Sequence, residues 1–165
     1  MKITINKKIS FNKDSRPYIV AEISGNHNGS KKLFLKHIRE AHKNGADMIK
    51  IQTYEPDDIT IKNTKLDTKI KKGIWKGKNL WDLYNKAQTP FAWHADAFKL
   101  AKKLKITLFS TPFSIRALKF LKKFNPKIYK ISSFEITDFN LINEIAKTKK
   151  PIIISTGSST LNEIK

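Results

Sequence analysis

Cysteine is absent from the 165 residues, which excludes a disulfide scaffold, a thiolate metal site and a cysteine nucleophile. No run approaches the roughly 18 consecutive apolar residues that a membrane-spanning helix needs. The first ten residues alternate polar and apolar side chains and lack the apolar core of a signal peptide. We therefore expect a cytoplasmic protein that does not enter a membrane.

Arginine is scarce, although the chain is strongly basic. Lysine and arginine total 33 against 14 acidic residues, a formal charge of +19, yet only Arg16, Arg39 and Arg116 are arginines. Arginine is the better ligand for phosphates and base edges, and the lysines are scattered along the whole chain. We interpret the charge as a solvated lysine surface and expect no nucleic-acid partner. A lysine-rich nucleic-acid binder is the alternative.

Apolar segments of strand length alternate with segments of helical periodicity, and 39% of the residues are hydrophobic. Residues 2–11 predict a short hairpin that turns at residues 6–8. Strands are predicted at 18–24, 47–53, 106–110, 128–132 and 151–155, and helices at 30–44, 80–87, 94–104, 114–123 and 138–147.

A repeated β-α order predicts a parallel sheet with right-handed crossovers, as in an open doubly wound sheet or a (β/α)8 barrel. The first βα turn, residues 25–29, is not the GxGxxG of a dinucleotide fold. Polar residues recur where the strands end, which is where barrel enzymes build their sites. We predict an α/β chain with five βα units from the front of a (β/α)8 TIM barrel, preceded by a β-hairpin and incomplete within residues 1–165.

Two lysines lie inside apolar strands, Lys50 between isoleucines and Lys130 between Tyr129 and Ile131. A lysine buried in a sheet is costly unless it meets an anion. If both lysines converge with the hydroxyl groups that follow their strands, they would form a cradle for phosphate or carboxylate. The alternative is that each lysine extends outward to solvent.

Glu22 also lies in a strand, where a carboxylate could act as a general base, bind a hydroxyl group or form a structural ion pair with Lys50. His27 lies between two asparagines and either binds a ligand or holds the turn. No histidine or carboxylate spacing indicates a metal site within the chain.

The residues at the strand ends resemble the sialic acid synthase family, whose members condense phosphoenolpyruvate with an N-acetylated sugar. The motifs that carry the resemblance occur in family order from about residue 16 onward: Ala21-Glu-Ile-Ser-Gly-Asn-His-Asn-Gly29, Ile49-Lys-Ile-Gln-Thr53, Ser110-Thr-Pro-Phe113, Tyr129-Lys-Ile-Ser-Ser-Phe-Glu135 and Ile154-Ser-Thr-Gly157.

The resemblance implies roles residue by residue. Glu22, Lys50 and Lys130 would be catalytic. The phosphoenolpyruvate site would comprise Lys50, Gln52, Ser110, Thr111, Lys130, Ser133 and Ser155. Glu22 and Asn79 would contact the sugar, and Glu135 and His27 are further candidate site residues.

Two features resemble the pseudaminic acid branch of that family, whose sugar would be a 2,4-diacetamido-2,4,6-trideoxy hexose. They are residues 75–84 followed by 89–94, and the Ser132-Ser133-Phe134-Glu135 segment. The N-acetylneuraminate and legionaminic acid branches are alternatives, as is a truncated remnant without activity.

The family also implies parts that we expect beyond Lys165. These are the histidine ligands of a divalent Mn or Mg ion, the rest of the barrel, and a C-terminal antifreeze-like domain that completes the partner's site in a homodimer. We therefore expect the 165-residue chain alone to be inactive.

Overall fold

The computed structural model describes residues 2–62 and 69–165. The chain starts with the predicted hairpin, in which β1 (Ile3–Thr4) pairs antiparallel with β2 (Ser10–Phe11). Asn6 holds its turn, because the side-chain oxygen accepts hydrogen bonds from the backbone N–H groups of Lys8 (2.7 Å) and Ile9 (3.0 Å). A short polar side chain thus adds to the backbone hydrogen bonds between Ile5, Asn6 and Ile9 that close the turn.

Parallel strands in chain order form a five-stranded sheet. They are β3 (Val20–Glu22), β4 (Met48–Thr53), β5 (Thr107–Pro112), β6 (Tyr129–Ile131) and β7 (Ile152–Ile154). Each strand pairs with the next one along the chain, whereas a doubly wound sheet reverses its strand order. The predicted fold class, the front part of a (β/α)8 barrel after a hairpin, is confirmed.

Strand β5 continues beyond its predicted end. Thr111 and Pro112 pair with Gln52 and Thr53 of β4, so that β5 includes two residues that we expected in the following turn. This extension brings Thr111 beside Gln52 at the carboxyl end of the sheet.

Helices follow the strands of the sheet. They are α1 (Lys31–Lys43), α2 (Leu80–Ala87), α3 (Phe91–Leu104), α4 (Ile115–Lys122), α5 (Phe139–Ala146) and α6 (Leu161–Ile164). Helix α1 starts where predicted, because Ser30 Oγ accepts a hydrogen bond from the Leu33 N–H group at 3.2 Å. Helix α3 starts directly after Pro90, three residues before the predicted start. Over the described part of the chain, no helix is long and apolar enough to cross a bilayer.

The sheet separates two apolar layers, because successive side chains of a strand point to opposite faces. On the inner face, Met48, Phe109 and Ile128 pack with Ile5 and Ile9 of the hairpin, which therefore covers the amino-terminal end of the sheet. On the outer face the strands pack against the helices. That layer includes Ile49, Ile51, Leu108, Tyr129 and Ile131 with residues of α1, α3, α4 and α5.

Candidate active site

Polar side chains replace apolar ones where the inner face reaches the carboxyl ends of the strands. Val20, Met48, Phe109, Ile128 and Ile153 fill the apolar inner core. Since side chains alternate along a strand, the inward positions that come next are also on this face. These positions, which we call the rim cluster, are Glu22, Lys50, Gln52, Thr111, Lys130, Ser132 and Ser155.

Glu22 and Lys50 are direct neighbours across the β3–β4 pair and form an ion pair. Glu22 Oε1 also accepts hydrogen bonds from the backbone N–H (3.0 Å) and the hydroxyl (2.9 Å) of Ser24. Lys50 Nζ lies 3.5 Å from Thr111 Oγ1 on the next strand. The structural ion pair, one of the alternatives open from the sequence, is therefore present, and it lies within the rim cluster.

Lys130 faces the same space from β6. Its Nζ donates hydrogen bonds to Ser155 Oγ and to the Ile131 carbonyl oxygen, the latter at 2.7 Å. Burial lowers the pKa of Lys130, and the positive charge of Lys50 lowers it further, whereas Glu22 and Glu135 partly offset the effect. Lys50 and Lys130 thus face the same side of the sheet from β4 and β6, on either side of β5, and an anion bound between them would offset both positive charges.

A 3-10 turn at Ser133–Thr137 follows β6 and brings two more predicted residues to the rim. Ser132 Oγ donates a hydrogen bond to Glu135, and burial raises the pKa of the Glu135 carboxyl group. Ser133 packs so closely on Gly157 that a Cβ atom at position 157 would lie 2.8 Å from Ser133 Oγ. The loops after β6 and β7 are therefore in direct contact beside Lys130.

A cleft of about 850 Å³ opens at this end of the sheet. Its polar floor comes from the strand ends, and an apolar wall comes from the segment between β4 and α3. The lining residues are Ser24, Gly25, Gln52, Tyr54, Asp58, Ile59, Trp75, Leu80, Leu83, Tyr84, Ala87, Phe113, Ser132, Ser133, Phe134 and Glu135. The cleft is large enough for a monosaccharide and a small phosphate ester together.

A second hollow, of about 750 Å³, lies near the hairpin turn and the start of β5. Its charged lining residues are all lysines: Lys7, Lys8, Lys99, Lys102, Lys105 and Lys127. This hollow has no carboxylate among its lining residues and lies at the amino-terminal ends of the strands. The candidate active site is therefore the rim cluster together with the cleft at the carboxyl ends.

Ser110, a predicted phosphoenolpyruvate ligand, is not part of the rim cluster. Its side chain is fully buried on the outer face, where Oγ lies 2.7 Å from Thr53 Oγ1 and donates to the Ile51 carbonyl at 3.0 Å. Thr53 Oγ1 in turn lies 2.8 Å from His94 Nε2. This buried network joins β4, β5 and α3 directly behind the rim, and we did not anticipate it from the sequence.

His27 and Asn79 both form hydrogen bonds that stabilise the local structure. His27 is fully buried and accepts a hydrogen bond at Nδ1 from the Gly29 N–H group (3.1 Å), so Nε2 carries the proton and lies 3.3 Å from Thr89 Oγ1. Burial lowers the pKa of His27. Asn79 Oδ1 caps α2 by accepting from the Trp81 N–H group at 2.9 Å. Neither residue lines the cleft.

No group of three or more histidine, aspartate or glutamate side chains in residues 2–62 and 69–165 is arranged to hold a metal ion. The two buried histidines, His27 and His94, are engaged in hydrogen bonds. The described residues therefore do not fit a metal centre.

Comparison with known proteins decides the family. A sequence model of the NeuB family matches residues 37–165, more than three quarters of the chain. The chain belongs to the NeuB family. Pseudaminic acid synthase of Campylobacter jejuni (strain 81-176) is 48% identical over 155 residues, which cover 94% of this chain and 45% of that enzyme.

Two further relatives share less sequence identity with this chain. N,N'-diacetyllegionaminic acid synthase of Campylobacter jejuni (serotype O:2) is 35% identical, over 89% of this chain and 44% of that enzyme. The crystal structure of N-acetylneuraminic acid synthetase from Leptospira borgpetersenii superposes with a TM-score of 0.84 at 26% identity, over 99% of this chain and 52% of that one. The chain therefore spans about half the length of these NeuB relatives.

Sequence reasoning missed several residues of the site. Ser24, which holds Glu22, was predicted as the last residue of a strand, but the strand ends at Glu22 and Ser24 has a positive φ of 46°. Leu80, Leu83 and Tyr84 lie in the helix predicted at 80–87 and were not among the predicted site residues, but they line the cleft. A signal for them was available, because their apolar stripe lies in a segment otherwise rich in lysine and polar residues.

Proposed function

We propose that this chain provides part of the active site of a synthase that condenses phosphoenolpyruvate with an N-acetylated amino sugar. The products would be a nine-carbon nonulosonic acid and phosphate. The observation that carries the proposal is that Lys50 and Lys130 face the same side of the sheet from β4 and β6, with their ammonium groups beside Thr111 and Ser155. Membership of the NeuB family supports the same reaction.

The reaction would form a bond between C3 of phosphoenolpyruvate and the aldehyde carbon of the open-chain sugar. Water adds its oxygen at C2, and the bond between C2 and the phosphate oxygen breaks. One water proton ends on the new sugar hydroxyl, and the other leaves with phosphate. Lys50 and Lys130 would hold the phosphate and carboxylate charges, so that catalysis rests on positioning and electrostatic stabilisation.

The remaining rim residues have roles that follow from their positions. Gln52, Thr111, Ser133 and Ser155 would donate hydrogen bonds to phosphoenolpyruvate. Ser110, on the outer face, would act only by holding β5 against β4. Glu22, paired with Lys50 in the absence of substrate, would orient the sugar or relay a proton once the anion takes over Lys50.

The proposed sugar is a 2,4-diacetamido-2,4,6-trideoxy hexose, because the pseudaminic acid synthase relative is 48% identical and the legionaminic acid synthase relative 35%. The legionaminic and N-acetylneuraminic acid reactions are the alternatives. A divalent Mn or Mg ion, homodimer formation and a cytoplasmic location belong to the same proposal. We assign no metal ligand among the described residues.

The test follows phosphate release from phosphoenolpyruvate by the full polypeptide that contains this sequence, with Mn²⁺ or Mg²⁺ present. Release should require the diacetamido sugar and should be lost in the double variant Lys50→Ala, Lys130→Ala. Lys127→Ala, an exposed lysine just before β6, should remain active. Full activity of the double variant would contradict the proposal. Turnover by the 165-residue chain alone would contradict our expectation that this part is inactive by itself.

A further inference from the structure

The apolar side of helix α2 faces the cleft and is only partly covered by the rest of the protein, as by the ring contact of Tyr84 with Tyr54. Leu80, Leu83, Tyr84 and Ala87 have the spacing i, i+3, i+4, i+7 of one helix face, and all four line the cleft. None of the residues of α2 is fully buried. An apolar helix stripe normally packs on a core, so this one faces a space that another molecule can fill.

Two large side chains add to this apolar surface. Phe134 and Trp75 line the same cleft and remain 79% and 44% exposed. The floor of the cleft, in contrast, is polar and includes Gln52 and Ser132. Lys50 and Lys130 are not among the lining residues, but each precedes one of these two by two positions and faces the same side of the sheet. The apolar wall therefore adjoins the proposed anion site, and a ligand that reaches from one to the other needs a charged end and an end with methyl groups.

Contacts on both sides of α2 fix the wall in place. Trp81 Nε1 donates a hydrogen bond to Asp57 at 2.7 Å, in the 3-10 turn that follows β4. Ala87, at the end of α2, packs so closely on Gly25 that a Cβ atom at position 25 would lie 2.9 Å from the Ala87 oxygen. A wall held in this way is pre-organised, and a pre-organised wall can distinguish ligands that differ by one group.

We propose that the α2 face, chiefly Leu80 and Leu83, determines sugar specificity by packing on methyl groups of the substrate. This inference rests on the proposed function. The acetamido groups of the sugar end in methyl groups, and C6 of a 6-deoxy sugar is itself a methyl group. Transfer of these methyl groups from water to an apolar surface is favourable. A 6-hydroxyl group against the same wall loses its hydration and finds no partner. The wall therefore selects 6-deoxy diacetamido sugars over sugars that carry a 6-hydroxyl group.

The test uses the full polypeptide and compares kcat/KM for 2,4-diacetamido-2,4,6-trideoxy hexose with kcat/KM for N-acetylmannosamine, which has a 6-hydroxyl group. Leu83→Gln keeps the side-chain volume and suits a helix, but adds a polar amide. It should lower the ratio of the two values by about 10-fold, the usual effect of one group in an apolar pocket. Leu83→Met, and Lys86→Gln on the exposed side of α2, should leave the ratio unchanged.

Leu80→Gln serves as a second variant, judged by the same ratio, if Leu83→Gln does not fold. A wild-type ratio in a folded Leu83→Gln or Leu80→Gln variant would overturn the specificity role of α2. Absence of phosphate release with either sugar in the wild-type protein would instead contradict the proposed function, and with it this inference.

Discussion

Acid should destabilise the protein through His94. This side chain is fully buried, with Nδ1 at 3.2 Å from the Pro90 carbonyl oxygen and Nε2 at 2.8 Å from Thr53 Oγ1. Because a carbonyl oxygen only accepts, Nδ1 carries the proton and Nε2 accepts one from the Thr53 hydroxyl. Burial lowers the pKa of His94 from 6.5 to about 4. The folded protein therefore keeps His94 neutral at pH values where the unfolded chain binds a proton.

The pH dependence follows from this difference in proton binding. Above about pH 6.5 neither state protonates His94, so the group adds no pH dependence to the free energy of unfolding. Below that pH the unfolded state alone gains the proton, and each pH unit costs about 1.4 kcal/mol of stability. The contribution of His94 to the free energy of unfolding should therefore fall by about 2 kcal/mol between pH 7 and pH 5.

Urea denaturation of wild type and His94→Gln near pH 7 and near pH 5 measures this contribution. The variant should be less stable than wild type near pH 7, because Thr53 and Pro90 lose a fitted partner. Its free energy of unfolding should nevertheless depend less on pH, by about 2 kcal/mol over this range. His42→Gln, at the exposed end of α1, should keep the wild-type dependence. Identical pH dependence of His94→Gln and wild type would refute the reasoning.

Two further changes test how the cleft is built. Gly25→Ala should lower the melting temperature, at a cost of about 1–3 kcal/mol, because the new methyl group would lie 2.9 Å from the Ala87 oxygen; an unchanged melting temperature would contradict this close contact. Arg116 pairs with Glu55 and Asp58 but is half exposed. Arg116→Gln should therefore cost at most about 1 kcal/mol. Because these ion pairs attach residues 55–58 to α4, the Arg116→Gln variant should also be cleaved faster by a protease near residues 55–59. A cleavage rate equal to that of wild type would contradict this role of Arg116.

The strand order and the inward lysines could be predicted from the sequence, because both depend on local patterns. Each buried strand ends in a turn, and Lys50 and Lys130 occupy equivalent places in two such strands. The start of α1 could also be predicted, since Ser30 precedes an apolar stripe with helical spacing. Parallel strands that end at one edge then bring these side chains together.

The face on which Ser110 lies could not be predicted, for a physical reason. Ser110 and Thr111 are adjacent, so only one of them can face the rim. Strand β5 is covered on both faces, and its sequence, Thr107-Leu-Phe-Ser-Thr-Pro112, shows no alternation of polar and apolar residues. Its pairing with β4 decides the matter, because Ser110 pairs with the outward Ile51 and Thr111 with the inward Gln52.

The apolar wall of the cleft was also beyond the reach of local patterns. The stripe of α2, around Leu83, predicts a helix but not the surface that it faces, which depends on the path of the chain between β4 and α3. Asn79 shows the same limit, since its capping role and a sugar-binding role call for the same residue type.

Titration of phosphoenolpyruvate into the full polypeptide tests the central claim most directly. Lys50→Met, Lys130→Met and their double variant would be compared with wild type, with the exposed Lys127→Met as control. If both ammonium groups bind one anion, each single change should weaken binding by about 10-fold or more, and the double variant should deviate from the sum of the two effects. Dissociation constants equal to wild type in both single variants would contradict a shared anion site.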